Sequence, residues 1–261
     1  MTRSVDTFLD VNVLLTLTLR LSRFLSACEK FRQDAKRENM DLHMTSSVQN
    51  VFDYKISESN DMIGELLRGL VISVSTMRTG GQDQLLETIV LTASDRSVIR
   101  GYFQKELGKA TTELRQIRIK AVEAWVVNRF EEAVRKSSGV SLIDFAKAMI
   151  LDNQDAYDKI AADRSILLNE LKISVVPINP SDATKTAIRS AGVNDPEDIM
   201  HLASVCDYLA QSKSCEFAVY VTTDYTDVLS AKDKLQKLKI VAEEPTYAVH
   251  TYMTLRRGEM P

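Results

Sequence analysis

The hydrophobic positions change their period along this chain, and each change marks a different kind of element. Ser4 to Leu9 is a short, mostly apolar run ending in Asp10, the pattern of a buried strand that delivers a carboxylate to its C-terminal edge. Beyond it Leu14, Leu17, Leu21, Phe24, Cys28, Phe31 and Ala35 fall at spacings of three and four, which predicts one long amphipathic helix. Met40 to Thr45 predicts a second strand, with Ser46 or Ser47 capping the helix that follows.

From residue 59 to residue 170 the spacing is helical and predicts no strand. Ile63, Leu66, Leu70, Val74 and Met77 form one stripe, and Leu114, Ile117, Ala121, Ala124, Val127, Glu131 and Val134 form another with a single polar interruption. Breaks fall at Gly80-Gly81, near Ser94-Asp95 and at Ser138-Gly139, and Ser141 with Asp144 is a helix-start pair. The strand signal returns at Ile173 to Ile178, stopped by Asn179-Pro180. Helices at Ser181 to Ser190 and Asp195 to Gln211, a strand at Phe217 to Thr222, a short helix after Asp227 and a strand at Leu238 to Val241 follow. Strands alternating with helices at this spacing predict an α/β domain with a parallel sheet, built from residues 1–58 and 171–261 and interrupted by an all-α helical insertion at 59–170.

Composition narrows the class. With 261 residues, 44% hydrophobic and 26% charged, the chain can bury a real core. Its most apolar stretch, Val11 to Leu25, is broken by Asn12, Thr16, Thr18, Arg20, Ser22 and Arg23, so the expectation is a soluble, cytoplasmic protein with no membrane partner. Cys28, Cys206 and Cys215 form no CxxC pair and lie far from finger-like His spacing, which argues for reduced, packed thiols. A net charge of −3 lacks the basic footprint of a protein that binds nucleic acid by charge alone, so any such contact must be local or aided by metal.

In open parallel sheets, sites form outside the carboxyl ends of the strands. Three segments put acidic residues there: Phe8-Leu9-Asp10-Val11-Asn12, Asn194-Asp195-Pro196-Glu197-Asp198-Ile199-Met200-His201-Leu202-Ala203, and Tyr220-Val221-Thr222-Thr223-Asp224-Tyr225-Thr226-Asp227. Carboxylates about 5 Å apart repel by roughly 3 kcal/mol at an effective dielectric near 20, so such a cluster wants a cation. Aspartate oxygens without soft ligands favour Mg²⁺ or Mn²⁺.

Taken in order, Asp10 with Asn12, Asp198 with His201-Leu202-Ala203, and Thr222 with Asp224 resemble the PIN-domain nuclease family. The resemblance covers roughly the first 58 residues and the last 90. It implies a PIN-like three-layer fold and a metal-dependent ribonuclease acting on single-stranded or structured RNA, with Mg²⁺ or Mn²⁺ as cofactor. Family analogy also suggests a homodimer and allows an inhibitor protein as partner. On this reading Asp10, Asp198 and Asp224 are the principal, catalytic ligands, Asp227 and Asp195 are outer ligands, and Asn12 and Thr222 orient them.

Two departures stand out. The family's further acid would fall near Val51, which cannot bind metal, so either Asp53 or, failing that, Glu58 substitutes, or the site is short of one ligand. The insertion is also larger than compact members of the family carry. Between Arg96 and Lys136 it holds ten Lys or Arg against five Glu, and Arg115, Arg118 and Lys120 are its candidates for tracking a phosphate backbone.

Each feature has a plain structural alternative. Asp10 can end a strand and cap a helix, Asp195 before Pro196 is a good helix cap, and Asp198 in a first helical turn suits the macrodipole. Asp224 or Asp227 can cap the next helix, basic helices are often solvated faces, and His201 and Trp125 read as core side chains. Two competing functions follow. One is an inactive PIN-like scaffold that binds RNA or a protein partner. The other is a haloacid-dehalogenase-type phosphohydrolase, whose chemistry wants a second Asp where this chain has Asn12.

Overall fold

The computed structural model describes residues 4–20, 22–80, 88–111, 113–137 and 139–259. Leu21, Gly81 and Ser138, and the side chains of Leu114 and Ile117, lie outside the described residues. In chain order the elements are β1 (Ser4–Leu9), α1 (Val11–Leu19), α2 (Leu25–Arg37), β2 (Leu42–Thr45), α3 (Ser46–Thr79), β3 (Val90–Leu91), α4 (Arg96–Lys109), α5 (Glu113–Ser137), β4 (Val140–Ser141), α6 (Leu142–Glu170), β5 (Ser174–Val176), α7 (Asp182–Ala191), α8 (Pro196–Gln211), β6 (Cys215–Val221), α9 (Lys232–Gln236), β7 (Ile240–Glu243) and α10 (Pro245–Arg256). The chain divides into two compact units, Met1–Ile56 with Ile160–Pro261, and Ser57–Lys159. The hydrophobic pattern sets these breaks at 58/59 and 170/171.

The first unit is α/β, with a five-stranded sheet in the order β5-β2-β1-β6-β7 and every pairing parallel. Phe8, Ala218, Tyr220 and Ile240 share one face and pack with Ile199 and Leu202 of α8 and Leu235 of α9. Leu9, Val219, Val221 and Val241 are buried at the alternate positions, and α10 packs on β1, β6 and β7 and against α2. Helices thus cover both faces of a buried parallel sheet, the arrangement such sheets require.

Local chemistry explains where the pattern and the structure part. The single helix predicted from Leu14 to Ala35 is two helices, because Arg20 takes the left-handed conformation at φ 57 and ends α1. Leu17, Cys28, Phe31 and Ala35 of that stripe are still buried, on two axes rather than one. At α3 the cap is neither Ser46 nor Ser47: the Thr45 hydroxyl accepts the Val48 N–H at 3.2 Å.

The second unit packs Leu66, Leu70, Phe103, Val126, Phe130 and Phe145 into its own core. It is not all-α. β3 and β4 form a two-stranded antiparallel ladder, Val90 opposite Ser141 and Leu91 opposite Val140, too short to show an alternation in sequence. The predicted stripe on α5 is out of phase. Its buried side is Ile119, Val122, Val126, Val127 and Phe130, while Ala121 is exposed. Met77 of the earlier stripe is exposed too. Ser141 does meet the Asp144 N–H, at 3.4 Å, as α6 begins.

Among the described residues no helix is long and apolar enough to cross a membrane. The three cysteines are unpaired, with Cys28 and Cys215 buried.

Candidate functional site

The strand order places β1 in the middle, with β2 and β5 on one side and β6 and β7 on the other. The chain leaves β1 for β2 on one side and leaves β6 for β7 on the other, and this reversal opens a crevice at the carboxyl ends of β1 and β6, where ligands settle in sheets of this kind. Asp10 follows β1 directly and Thr222 follows β6 directly.

Asp10 does cap α1, accepting the Val11 N–H at 2.7 Å, but it is also fully committed to the crevice. It is 1% exposed and accepts the Thr222 hydroxyl at 2.6 Å on Oδ2 and the Tyr220 hydroxyl at 3.1 Å on Oδ1, with Asn12 Nδ2 at 3.5 Å. Burial pushes its pKa up, and the Thr222, Tyr220 and Val11 donors only partly offset this.

Gly192, left-handed at φ 105, ends α7 and turns the chain toward α8. Asp195 caps α8 through the Glu197 N–H at 2.7 Å and the Asp198 N–H at 3.2 Å, and Pro196 starts it. Asp198 then lies in the first turn, buried, and its pKa is pushed up to about 8 by burial and by the charges of Asp10, Asp224, Asp195 and Asp227. One turn further on the same side of the helix is His201. It is 2% exposed, with Nδ1 4.0 Å from Asp10 Oδ1, and its ring nitrogens make no close side-chain hydrogen bond, although the Ser47 backbone favours the charged form. Burial lowers its pKa to about 4, so the ring is neutral and keeps a lone pair.

Asp10, Asp198 and His201 each offer a ligand atom within 4.8 Å of the others, a group that could hold a metal ion. Asp224 stands beside it rather than in it. Its Oδ1 accepts the Thr226 and Asp227 N–H groups at 2.8 and 3.0 Å and the Thr226 hydroxyl at 2.9 Å. Burial alone would raise its pKa, but these donors and the Asp198 carboxyl lower it, so Asp224 stays charged and contributes a negative field. Among the described residues no Arg or Lys pairs with Asp10, Asp198 or Asp224.

Asp227 holds the site together from behind. It accepts the Asn194 N–H at 2.9 Å and the Asp195 N–H at 2.7 Å, tying the loop after β6 to the start of α8. Asp53 lies outside the group: it is exposed and ion-paired with Arg164 at 2.6 Å. Glu58 lies 3.9 Å from Arg118, and Arg96, Lys109 and Arg129 of the same basic stretch are paired with Glu131, Glu106 and Glu132. Arg115 and Lys120 are exposed.

Two residues of the site escape the sequence pattern. Tyr220 carries no signal in the sequence beyond standing two before Thr222, the spacing that lets both hydroxyls reach Asp10. His201 is buried like a core histidine, but its ring is turned to the carboxylates, and the signal was its spacing of three from Asp198. Comparison with protein-family models, with curated proteins and with solved structures finds no match.

Proposed function

We propose that the Asp10, Asp198 and His201 group, with Asp224 beside it, holds a divalent cation and serves a PIN-type ribonuclease that hydrolyses RNA phosphodiester bonds. The observation that carries the reading is a buried imidazole whose Nδ1 lies 4.0 Å from Asp10 Oδ1, grouped with two buried carboxylates that have no cationic partner among the described residues. An uncompensated set of this kind is costly to bury, and a cation removes the cost.

The donor set fits the ion. Carboxylate oxygens with one imidazole nitrogen suit Mn²⁺ at least as well as Mg²⁺, which prefers oxygen alone. When bound, such an ion supplies charge neutralisation at the phosphate and activation of water for attack. The chain's own residues do the rest. The Thr222 and Tyr220 hydroxyls fix both oxygens of Asp10, Asn12 approaches from the open side, and Asp227 holds α8 so that Asp198 and His201 face inward. Asp224 keeps its charge at the rim, where a second ion or an approaching water would meet it.

Titration with Mn²⁺, followed by electron paramagnetic resonance, together with cleavage of a fluorescein-labelled single-stranded RNA tests this. Wild type should bind and cut, and Asp10→Asn, Asp198→Asn and His201→Ala should lose the ion. A scaffold without activity is the second reading, favoured by Val51 and by the engagement of Asp53 with Arg164. It predicts RNA binding with no bound Mn²⁺ and no cleavage.

A further inference from the structure

We propose that Tyr225, backed by Phe24 and Arg23, is a stacking platform for an unpaired base of single-stranded RNA beside the carboxylate site. The proposal rests on the phosphodiester reading of that site for its choice of ligand, and on separate residues for its geometry. Tyr225 follows Asp224 directly and is 47% exposed. Its inner face lies on Phe24, with ring centroids 5.6 Å apart and planes 25° from parallel. Its hydroxyl donates to Glu244 Oε2 at 2.6 Å. The ring is therefore held at two points while nearly half of the residue stays exposed. Stacking a base on it immobilises little that was free, so little conformational entropy is lost on binding.

Charge supports the same ligand. Arg23 lies over the Phe24 ring, its guanidinium carbon 4.7 Å from the centroid. It is exposed and has no carboxylate partner among the described residues. An exposed aromatic ring beside an exposed cation suits a base and the phosphate attached to it, the combination that single-strand binders use. A duplex keeps its bases stacked on one another and offers no free face.

The test uses the full chain and an RNA octamer carrying one 2-aminopurine, with Ca²⁺ replacing Mn²⁺ to prevent cleavage. Binding to wild type should quench the 2-aminopurine fluorescence. Tyr225→Ala should weaken binding by about tenfold or more and abolish the quenching, while Tyr225→Phe keeps both in large part. Arg23→Gln should lower the salt dependence of binding by about 0.7 in the log–log slope. Tyr225→Leu, which keeps apolar bulk without a π face, serves if the alanine variant does not fold. Equal affinity and equal quenching in wild type and in Tyr225→Leu would overturn the platform, as would equal affinity for a fully paired RNA hairpin. Mn²⁺ binding measured on the same variants separates the two ideas. If wild type binds no Mn²⁺ but Tyr225 still governs octamer binding, the nuclease reading falls and the platform stands.

Discussion

Asp6 within β1 and Asp10 just past its end face one helix, yet they are handled in opposite ways. Asp6 is 9% exposed and accepts the Tyr208 hydroxyl at 2.6 Å, and His43 Nε2 lies 3.7 Å away. His43 in turn meets Ser174 Oγ through Nδ1 at 2.5 Å, which links β1, β2, β5 and α8. Burial pushes Asp6 up, but His43 and Tyr208 outweigh it and the carboxyl ends below its ordinary range. Asp10 has three donors of its own but shares its crevice with Asp198 and Asp224, and it ends raised. Asp198 and Tyr208, the residues of α8 that address these two ends, are ten positions apart, about 15 Å along the helix. A buried acid with compensating partners is part of the fold, whereas one surrounded by like charge is a place prepared for something else.

The largest expected effect tests that contrast directly. Asp10→Asn should lower Mn²⁺-dependent RNA cleavage by more than about a hundredfold, while Asp6→Asn, assayed below its melting temperature, should leave it nearly unchanged. A reversed ranking would break the comparison. Next, Mn²⁺ at a hundred times its dissociation constant should stabilise wild type by about 2.7 kcal/mol, read as an upward shift in thermal unfolding, and should leave Asp198→Asn unmoved.

A smaller effect probes the compensated end. Tyr208→Phe should cost about 2 kcal/mol near neutral pH, since it removes a hydrogen bond to a charged, buried acceptor. The folded pKa of Asp6 is depressed, so the stabilisation is present above the ordinary value of 3.8 and is lost as the pH falls through the folded value. Urea unfolding of the two proteins should therefore differ at pH 7 and converge in strong acid. Persistence of the full difference in acid would mean that packing, not charge, made it. The smallest effect belongs to Asp53. Its exposed pair with Arg164 should be worth less than about 1 kcal/mol, and Asp53→Ala should leave Mn²⁺ affinity where it was.

Much of the sheet was readable because its signals are local. β1 follows its predicted run from Ser4 to Leu9, and the strands at β5, β6 and β7 each lie within or overlap a run bounded by turn residues. The Asp195-Pro196 pair announced the start of α8 in the same way. The misses came where a local signal was absent or ambiguous. β3 and β4 are two residues each, and the stripe on α5 mixed Ala with Glu131, so spacing alone could not choose its buried side.

Asp10, Asp198 and Asp224 were legible as residues, because strand ends and first helical turns are visible in the order of the chain. Their inequality was not. Which carboxylate faces His201 and which spends its lone pairs on Thr226 and Asp227 depend on how β1, β6 and α8 are set against one another. Sequence determined the elements and the supply of charged groups at their ends, since propensity and period act over a few residues. Only the tertiary structure decided which charges meet a partner, because desolvation and Coulomb energy act through space between groups nearly two hundred residues apart in the chain.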